Sequence, residues 1–564
     1  MIYLNLFKTC QISDNEYSIR YTGDNSHFSR YAEILSSIKN KYYDRNRRSW
    51  IISSNNLRLF DQLRYHTVNY GDIGQGLKLE PYNYQKDIIQ FCYTKEKTLI
   101  VAPCGAGKTP CIIGVYHHAR MKKKISGCGI IIVKASLKEQ WKKEIEKFSD
   151  YSVTIIKTLS QCANKHDIYE QQFQGYDIYI LNYESLRNED IRNRMLKLKP
   201  EFVAADEAQA IKDDTTQRAK ALYKFNKVRF TIAATATPVQ KNPMDIFGIM
   251  KFVNPQIFPK KGEFGQRYVS WASFGQYIRK PIGSKNEKEL NLKLREWMII
   301  KTKQEISSQL PKLVVVQKFC ILTPKQQQKS NILLKKIESL KEQERIEMQK
   351  LAKTGNQTSS LLRKIEAEIL MYQTYAQEMA NDEKLLAVSE ANNTKLYVTG
   401  DPSEKTKLCI ALIKEIIEAG EKVAVFSRFV KYQDILKQEF SKDNDLKCIK
   451  VAQVNGTMSD QKRYQEVYNK FNTDPSYKIL LLSEAANEGL NLSQCGYLIE
   501  MDLAQSYAAQ TQRHGRIERA DSTHDTVYVY QLITEDSFDQ IAQKIVSKKE
   551  GFDNKIIRGL SSEI

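Results

Sequence analysis

The sequence predicts an α/β protein of two parallel-sheet lobes in tandem, with helical insertions and a small N-terminal α+β domain. Three observations predict it. An apolar run at 98–101 passes through Gly105 and Gly107 into Lys108-Thr109 and then a helical segment. A second apolar run ends in the paired acids Asp206-Glu207. A further series of apolar strands and helices, from about residue 402 onward, has no glycine-rich loop of its own. Short β-rich runs alternating with helices are the pattern of parallel sheets, which take ligands at the carboxyl ends of their strands.

At 564 residues the chain is too long for one core. With 41% hydrophobic and 27% charged residues it reads as globular. The 86 Lys+Arg against 66 Asp+Glu leave a net charge of +20, which suits a polyanion such as DNA or RNA; a Lys-rich composition alone gives the same excess. Ten scattered cysteines with no Cys-x-x-Cys pair support neither a zinc site nor a disulfide framework. The first seven residues turn polar too quickly for a signal peptide, and no apolar run approaches the ~20 residues of a membrane span. The expectation is a soluble intracellular protein, cytoplasmic, or nuclear if eukaryotic.

Three segments are expected: an accessory domain at 1–75, a first lobe at 76–311 with a largely helical protrusion at about 256–310, and a second lobe at 312–564 with a helical insertion at about 325–395. In the first, residues 31–38 have a helical pattern, and residues 42–52 read as a turn feeding a strand. There Arg45, Arg47 and Arg48 beside aromatics suit a phosphate backbone with stacked bases; a solvated turn before a core strand suits the same residues. Next, Tyr84-Gln85 falls on a helix just before the glycine-containing loop, and a glutamine amide carries the donor and acceptor that an adenine edge requires.

The strand–loop–helix at 98–120 is the context of a phosphate-binding loop. Gly105 and Gly107 let backbone N–H groups approach phosphates at a helix N-terminus, Lys108 reaches the β- and γ-phosphates, and the Thr109 hydroxyl holds Mg²⁺. Asp206, at a strand end, completes the Mg²⁺ ligands, and Glu207 orients and polarises an attacking water. A strand at 230–237 then ends in the hydroxyls of Thr235 and Thr237. The charged tract at 325–395, broken at Gly355-Asn356, lacks a heptad seam and reads as a projecting helical insertion. In the second lobe, Arg516 and Arg519 are three apart on one helical face; as fingers acting in cis they suit a developing phosphoryl charge on ATP.

In this order the blocks resemble those of the superfamily-two helicases, and within them the Swi/Snf-type double-stranded-DNA translocases. Gly105-Ala106-Gly107-Lys108-Thr109 resembles motif I, and residues 137–148 the Leu-x-x-x-Trp-x-x-Glu block of motif Ia. Asp206-Glu207-Ala208-Gln209 resembles motif II, Thr235-Ala236-Thr237-Pro238 with Gln240-Lys241 motif III, and Lys301-Thr302-Lys303 with Leu310-Pro311 the hinge block. Gly489-Leu490-Asn491-Leu492 resembles motif V, and residues 512–519 motif VI. Departures include Gln209 for histidine, Ala236 for glycine, Lys301-Thr302 for paired arginines and Ala486-Asn487-Glu488 where glycines are usual; they mark a divergent, phage-like or bacterial member. Residues 42–52 with Ser308-Gln309-Leu310-Pro311 faintly resemble the HepA-related domain.

The resemblance implies two RecA-like lobes with ATP and Mg²⁺ in the cleft between them. It implies Lys108, Asp206, Glu207, Arg516 and Arg519 as catalytic residues, Gln85, Gly105, Gly107, Lys108, Thr109 and Gln512 as nucleotide contacts, and Thr109 and Asp206 at the metal. DNA, double-stranded or forked, is the implied partner, with backbone contacts near Ser136 and Asn491. The expected activity is ATP-driven movement along duplex DNA. A strand-separating helicase and a non-catalytic nucleic-acid scaffold with a vestigial ATP site are the alternatives.

Overall fold

The computed structural model describes residues 7–13, 16–21, 41–44, 47–53, 72–163, 165–239, 242–274, 278–303, 305–306, 310–354, 359–388, 402–484, 490–504 and 507–544. The helical pattern at 31–38, Arg45, Gln240-Lys241, Ser308-Gln309, Gly355-Asn356 and Ala486-Asn487-Glu488-Gly489 lie outside these residues.

Near the N-terminus, β1 (Phe7–Ser13), β2 (Glu16–Tyr21), β3 (Lys41–Asp44) and β4 (Ser49–Ser53) form an antiparallel sheet ordered β1-β2-β4-β3. Ile19, Ile51 and Ile52 are buried, as a core strand requires, while Tyr42 and Tyr43 are exposed. Tyr43 meets Trp50 edge-on at 5.3 Å.

The first large sheet begins after helix α1 (Asn83–Lys95) with β5 (Lys97–Val101), which feeds α2 (Lys108–Met121). Then come β6 (Gly129–Val133), α3 (Lys138–Phe148), β7 (Val153–Ile155), β8 (Ile178–Asn182), β9 (Phe202–Asp206) and β10 (Phe230–Thr235). Successive residues of β5 and β6 pack into different cores. Leu99, Val101, Ile130 and Ile132 lie on one face, Ile100, Ile131 and Val133 on the other. Coverage on both faces is why these strands are near-continuous apolar runs.

Between β10 and the last strand of this sheet the chain makes an excursion. The pattern predicts a largely helical protrusion there; the structure places an antiparallel hairpin, β11 (Val269–Phe274) and β12 (Ile278–Ser284), between α4 (Lys261–Tyr268) and α5 (Glu287–Arg295). Val, Trp, Phe and Ile favour a pleated surface over a helix, and Pro281 excludes a helix interior. The pairing shifts register between Ser270 and Trp271, and Trp271 anchors the hairpin by donating its indole N–H to Gly265 O at 2.9 Å. β13 (Met298–Ile300) then returns beside β5, giving the parallel order β13-β5-β10-β9-β6-β8-β7. The next residue, Lys301, makes a buried 2.6 Å ion pair with Asp87 of α1.

The second large sheet opens with β14 (Lys312–Cys320). From it projects a helical hairpin, α6 (Pro324–Thr354) and α7 (Ser360–Asn381). Leu333 and Ile337 meet Ala376 and Met379, Leu340 meets Ile365 and Ile369, and Leu351 meets Leu362, so the two helices run antiparallel. The hairpin is rooted by buried polar contacts. Lys405 at the start of α8 (Glu404–Glu418) pairs with Asp539 at 2.6 Å and Asn381 at 3.0 Å, and Asn381 reaches Asp502 at 3.3 Å. β15 (Val423–Phe426), β16 (Lys450–Val454), β17 (Tyr477–Leu482), β18 (Tyr497–Glu500) and β19 (Thr526–Thr534) complete a parallel sheet ordered β14-β19-β18-β15-β17-β16. Between β16 and β17 a short helix, Asp460–Tyr464, runs into a π-helical turn, Gln465–Phe471. Between β18 and β19 lies α9 (Tyr507–His514). The architecture is thus two RecA-like parallel-sheet lobes in tandem. Among the described residues no helix is long and apolar enough to cross a membrane.

Candidate active site

The carboxyl ends of β5 and β9 open onto a cleft of about 340 Å³, and the second lobe forms its opposite wall. Gln85, Gly105, Gly107, Lys108, Thr109, Asp206, Glu207, Arg516 and Arg519 all line it. Gln512 lies just behind, its amide N–H directed at Glu207 Oε2 at 3.4 Å.

The loop after β5 is shaped by two left-handed residues, Gly105 (φ 80°) and Gly107 (φ 62°). A side chain at Gly105 would meet Glu518 O at 2.3 Å, and one at Gly107 would meet the Gln85 amide at 2.4 Å. From the other lobe, a side chain at Gly515 would meet Cys104 Cβ at 2.1 Å. The absent side chains at Gly105 and Gly515 are what let the lobes touch at the loop. Tyr84 donates to Ala106 O at 3.1 Å, and Gln85 accepts from Tyr82 N–H at 2.9 Å while its own N–H faces Gly107 O at 3.5 Å. Gln85 therefore also braces the loop from outside. Lys108 folds back on that loop, donating to Ala102 O at 3.2 Å and Pro103 O at 3.0 Å.

The two acids sit in contrasting surroundings. Burial, and then the charge of Glu207, push the Asp206 carboxyl up to about 6. Its Oδ2 accepts the Trp141 indole N–H at 3.0 Å, and its Oδ1 accepts Glu207 N–H at 2.9 Å. Burial acts to raise Glu207 too, but Lys108, Lys134 and the Gln209 amide (2.5 Å) outweigh it and hold that carboxyl below its usual value. Glu207 adopts a left-handed backbone (φ 52°), which turns its side chain off the strand axis into the cleft. Environments that drive neighbouring carboxyls apart suit them to different tasks. Gln209 in turn accepts from Thr235 Oγ1 at 2.6 Å, linking the end of β9 to the end of β10.

Arg516 and Arg519 do not lie on a helical face. α9 ends at His514, Gly515 follows, and both arginines sit in the turn beyond. Glycine is a poor helix former, and the chain beyond it continues only in turns, Arg516 N–H donating to Arg513 O and Ile517 N–H to His514 O. Arg516 donates to Leu490 O at 3.3 Å, and Arg519 pairs with Asp521 at 3.3 Å. Arg513, still on α9, is structural: it donates to Asp502 O at 2.8 Å and lies 3.5 Å over the Phe426 ring. Ser136 lies in a short turn after β6, and Asn491 donates to Asp521 at 2.7 Å.

Sequence reasoning does not identify the partners across the cleft. Lys303 reaches Glu518 at 2.5 Å, and Lys143 of α3 reaches the Tyr464 hydroxyl at 2.5 Å. It also misses Trp141 as a holder of Asp206. A further omission is Gln140, which lines the cleft and whose buried Oε1 has no partner among the described residues. Asp206 and Thr109 offer the carboxylate and hydroxyl oxygens that suit Mg²⁺, which takes one or two protein ligands beside phosphate oxygens.

The raised Asp206 carboxyl has a consequence for pH dependence. Its ionised form, the one able to take a cation, is lost as pH falls through about 6. The affinity of the cleft for a divalent cation, measured against pH, is expected to show an acidic limb near there. Trp141→Phe removes the indole donor that favours the carboxylate, so the limb moves to higher pH; an unmoved limb contradicts the assignment to Asp206.

A family model described as SNF2-related domain matches residues 84–385, and one described as Helicase conserved C-terminal domain matches residues 404–521. An uncharacterized ATP-dependent helicase of Mycoplasma pneumoniae is 23% identical over 84% of this chain and 42% of its own length. Mouse Chromodomain-helicase-DNA-binding protein 1-like is 22% identical over 86% of this chain and 50% of its own. The chain thus spans about half the length, or less, of these curated relatives. A solved structure titled Sulfolobus solfataricus SWI2/SNF2 ATPase core in complex with dsDNA is 23% identical, covers 86% of this chain and 94% of its own, and superposes with a TM-score of 0.39.

Proposed function

Since the chain belongs to the SNF2-related family, we propose that it is a DNA-stimulated ATPase that converts closure of its two lobes into movement along duplex DNA. The observation that carries this reading is the composite cleft: Arg516 and Arg519 of the second lobe line the same space as Lys108, Thr109, Asp206 and Glu207 of the first. The net charge of +20 and relatives named as helicases or DNA-binding proteins support a nucleic-acid partner.

In this reading the loop N–H groups and Lys108 hold the triphosphate, with Lys108 exchanging two neutral carbonyls for phosphate oxygens. Thr109 and Asp206 hold Mg²⁺, which when bound neutralises charge on the phosphates. Glu207, kept ionised by Lys108 and Lys134, orients the attacking water and accepts its proton. Arg516 and Arg519 stabilise charge developing on the transferred phosphoryl group. Because they belong to the other lobe, the site is complete only when the lobes are closed. Hydrolysis and product release remove that bridge and reopen the cleft.

The test is ATPase rate with single-stranded, duplex and forked DNA and with RNA, together with triplex displacement and forked-duplex unwinding. Duplex-stimulated hydrolysis with ATP-dependent triplex displacement is expected. Unwinding of long duplex without triplex displacement makes the chain a strand-separating helicase, and no nucleic-acid-stimulated ATPase leaves only a binding scaffold.

A further inference from the structure

The two arginines of the second lobe hang on one short segment, and that segment hangs on a tyrosine pair docked against the first lobe. Arg516 donates to Leu490 O at 3.3 Å, and its own carbonyl accepts Leu492 N–H at 3.1 Å. Arg519 is tied to the same segment through Asp521, which also accepts from the Asn491 side chain at 2.7 Å. The Asn491 backbone is in turn held on both sides. Its N–H donates to the Tyr468 hydroxyl at 3.1 Å, and its C=O accepts from Asn472 at 3.1 Å.

Tyr468 belongs to the π-helical turn Gln465–Phe471, and its ring stacks on that of Tyr464 with centroids 4.2 Å apart and planes 18° from parallel. Across the cleft, the Lys143 ammonium of α3 lies 3.9 Å from the Tyr464 ring centroid and donates to its hydroxyl at 2.5 Å. α3 also carries Trp141, two residues earlier, which holds Asp206. One helix of the first lobe therefore touches both the acid of the cleft and, through two stacked rings, the segment that carries both arginines. π-turns inside helices recur at functional sites, and here the turn begins directly after Tyr464, the residue that contacts the other lobe.

We propose that Lys143, Tyr464 and Tyr468 are positioning residues that register lobe closure and, through residues 490–492, set Arg516 and Arg519 against the phosphates. None of the three lines the nucleotide cleft, so their effect is on turnover and not on nucleotide affinity. The proposal rests on the composite-site reading above. It is a bias on closure and not a lock, because Lys143 is solvent-exposed and an exposed cation over a ring is a weak contact.

The test is steady-state ATPase kinetics with saturating DNA, in parallel with the affinity of a fluorescent ATP analogue and thermal melting. Tyr468→Phe keeps the stack and removes only the hydroxyl that holds Asn491; kcat is expected to fall about tenfold with analogue affinity and melting temperature unchanged. Lys143→Ala is expected to lower kcat about three- to fivefold, and Lys143→Arg to restore it, since a guanidinium also sits over an aromatic face. Lys143→Ala/Tyr464→Leu is expected to be no slower than Tyr464→Leu alone, because the pair is one contact. An active wild type with Tyr468→Phe and Lys143→Ala at wild-type kcat overturns the positioning role and leaves the composite site standing. Losses in analogue affinity or melting that account for the lower rate overturn it as well. An inactive wild type overturns both.

Discussion

Arg516→Ala is expected to lower DNA-stimulated ATP turnover by about 10³-fold or more while nucleotide affinity changes little, as measured by steady-state kinetics alongside binding of a fluorescent ATP analogue. The size follows from where the guanidinium sits. It lines the cleft from the lobe opposite Lys108 and donates to the Leu490 carbonyl, while the Arg516 backbone carbonyl accepts from Leu492 N–H. A charge held in place before the reaction needs no reorganisation as phosphoryl charge develops, and that is where such a donor acts most strongly. Ground-state nucleotide is held chiefly by the first lobe, so removing Arg516 lowers kcat more than it raises KM. Arg516→Lys is expected to recover little of the loss, because an ammonium lacks the planar fork that fits two phosphoryl oxygens. A variant with turnover within tenfold of wild type removes the second lobe from the chemistry.

Much of this site is legible in the sequence because its parts are local patterns. Gly105-x-Gly107-Lys108-Thr109 after an apolar strand requires a left-handed turn at a helix N-terminus, and Asp206-Glu207 after another strand requires acids at a sheet's carboxyl edge. Both follow from neighbours along the chain. The arginines are legible as residues but not as geometry: a three-residue spacing suggests one helical face, and the helix ends at His514, before either of them. The hairpin at β11 and β12 escapes a reading by pattern because a basic, polar stretch with a few aromatics has no clear period. Least legible are contacts made by folding alone. Trp141 and Asp206 are 65 residues apart, and Lys303 and Glu518 are 215 apart. No spacing rule relates such pairs. Trp141 reads as one more apolar position on α3, and only the packing of α3 beside β9 turns its N–H toward a carboxylate.

Lys108→Ala is expected to bring ATPase activity to background, a loss of about 10³-fold or more, with the fold intact. Lys108 makes two hydrogen bonds to carbonyls of its own loop, at Ala102 and Pro103. Bonds of this kind are worth about 1 kcal/mol each and water can replace them, so the melting temperature should shift by only a few degrees. The cost falls instead on the cleft, where two separate functions of the ammonium are lost. It no longer meets the β- and γ-phosphates, so analogue binding weakens as well as turnover. It also no longer restrains the carboxyls, since Lys108 is the strongest lowering influence on both Asp206 and Glu207. Both pKa values then rise, and the two carboxyls, followed by NMR, should titrate at higher pH than in wild type. Lys108→Arg, which keeps the charge but needs a wider path through a loop closed by Gln85 and Glu518, should restore the carboxyl titration better than the turnover. If Lys108→Ala hydrolysed ATP within tenfold of wild type, phosphate binding would have to lie elsewhere. The loop would then be a structural turn that happens to carry a lysine.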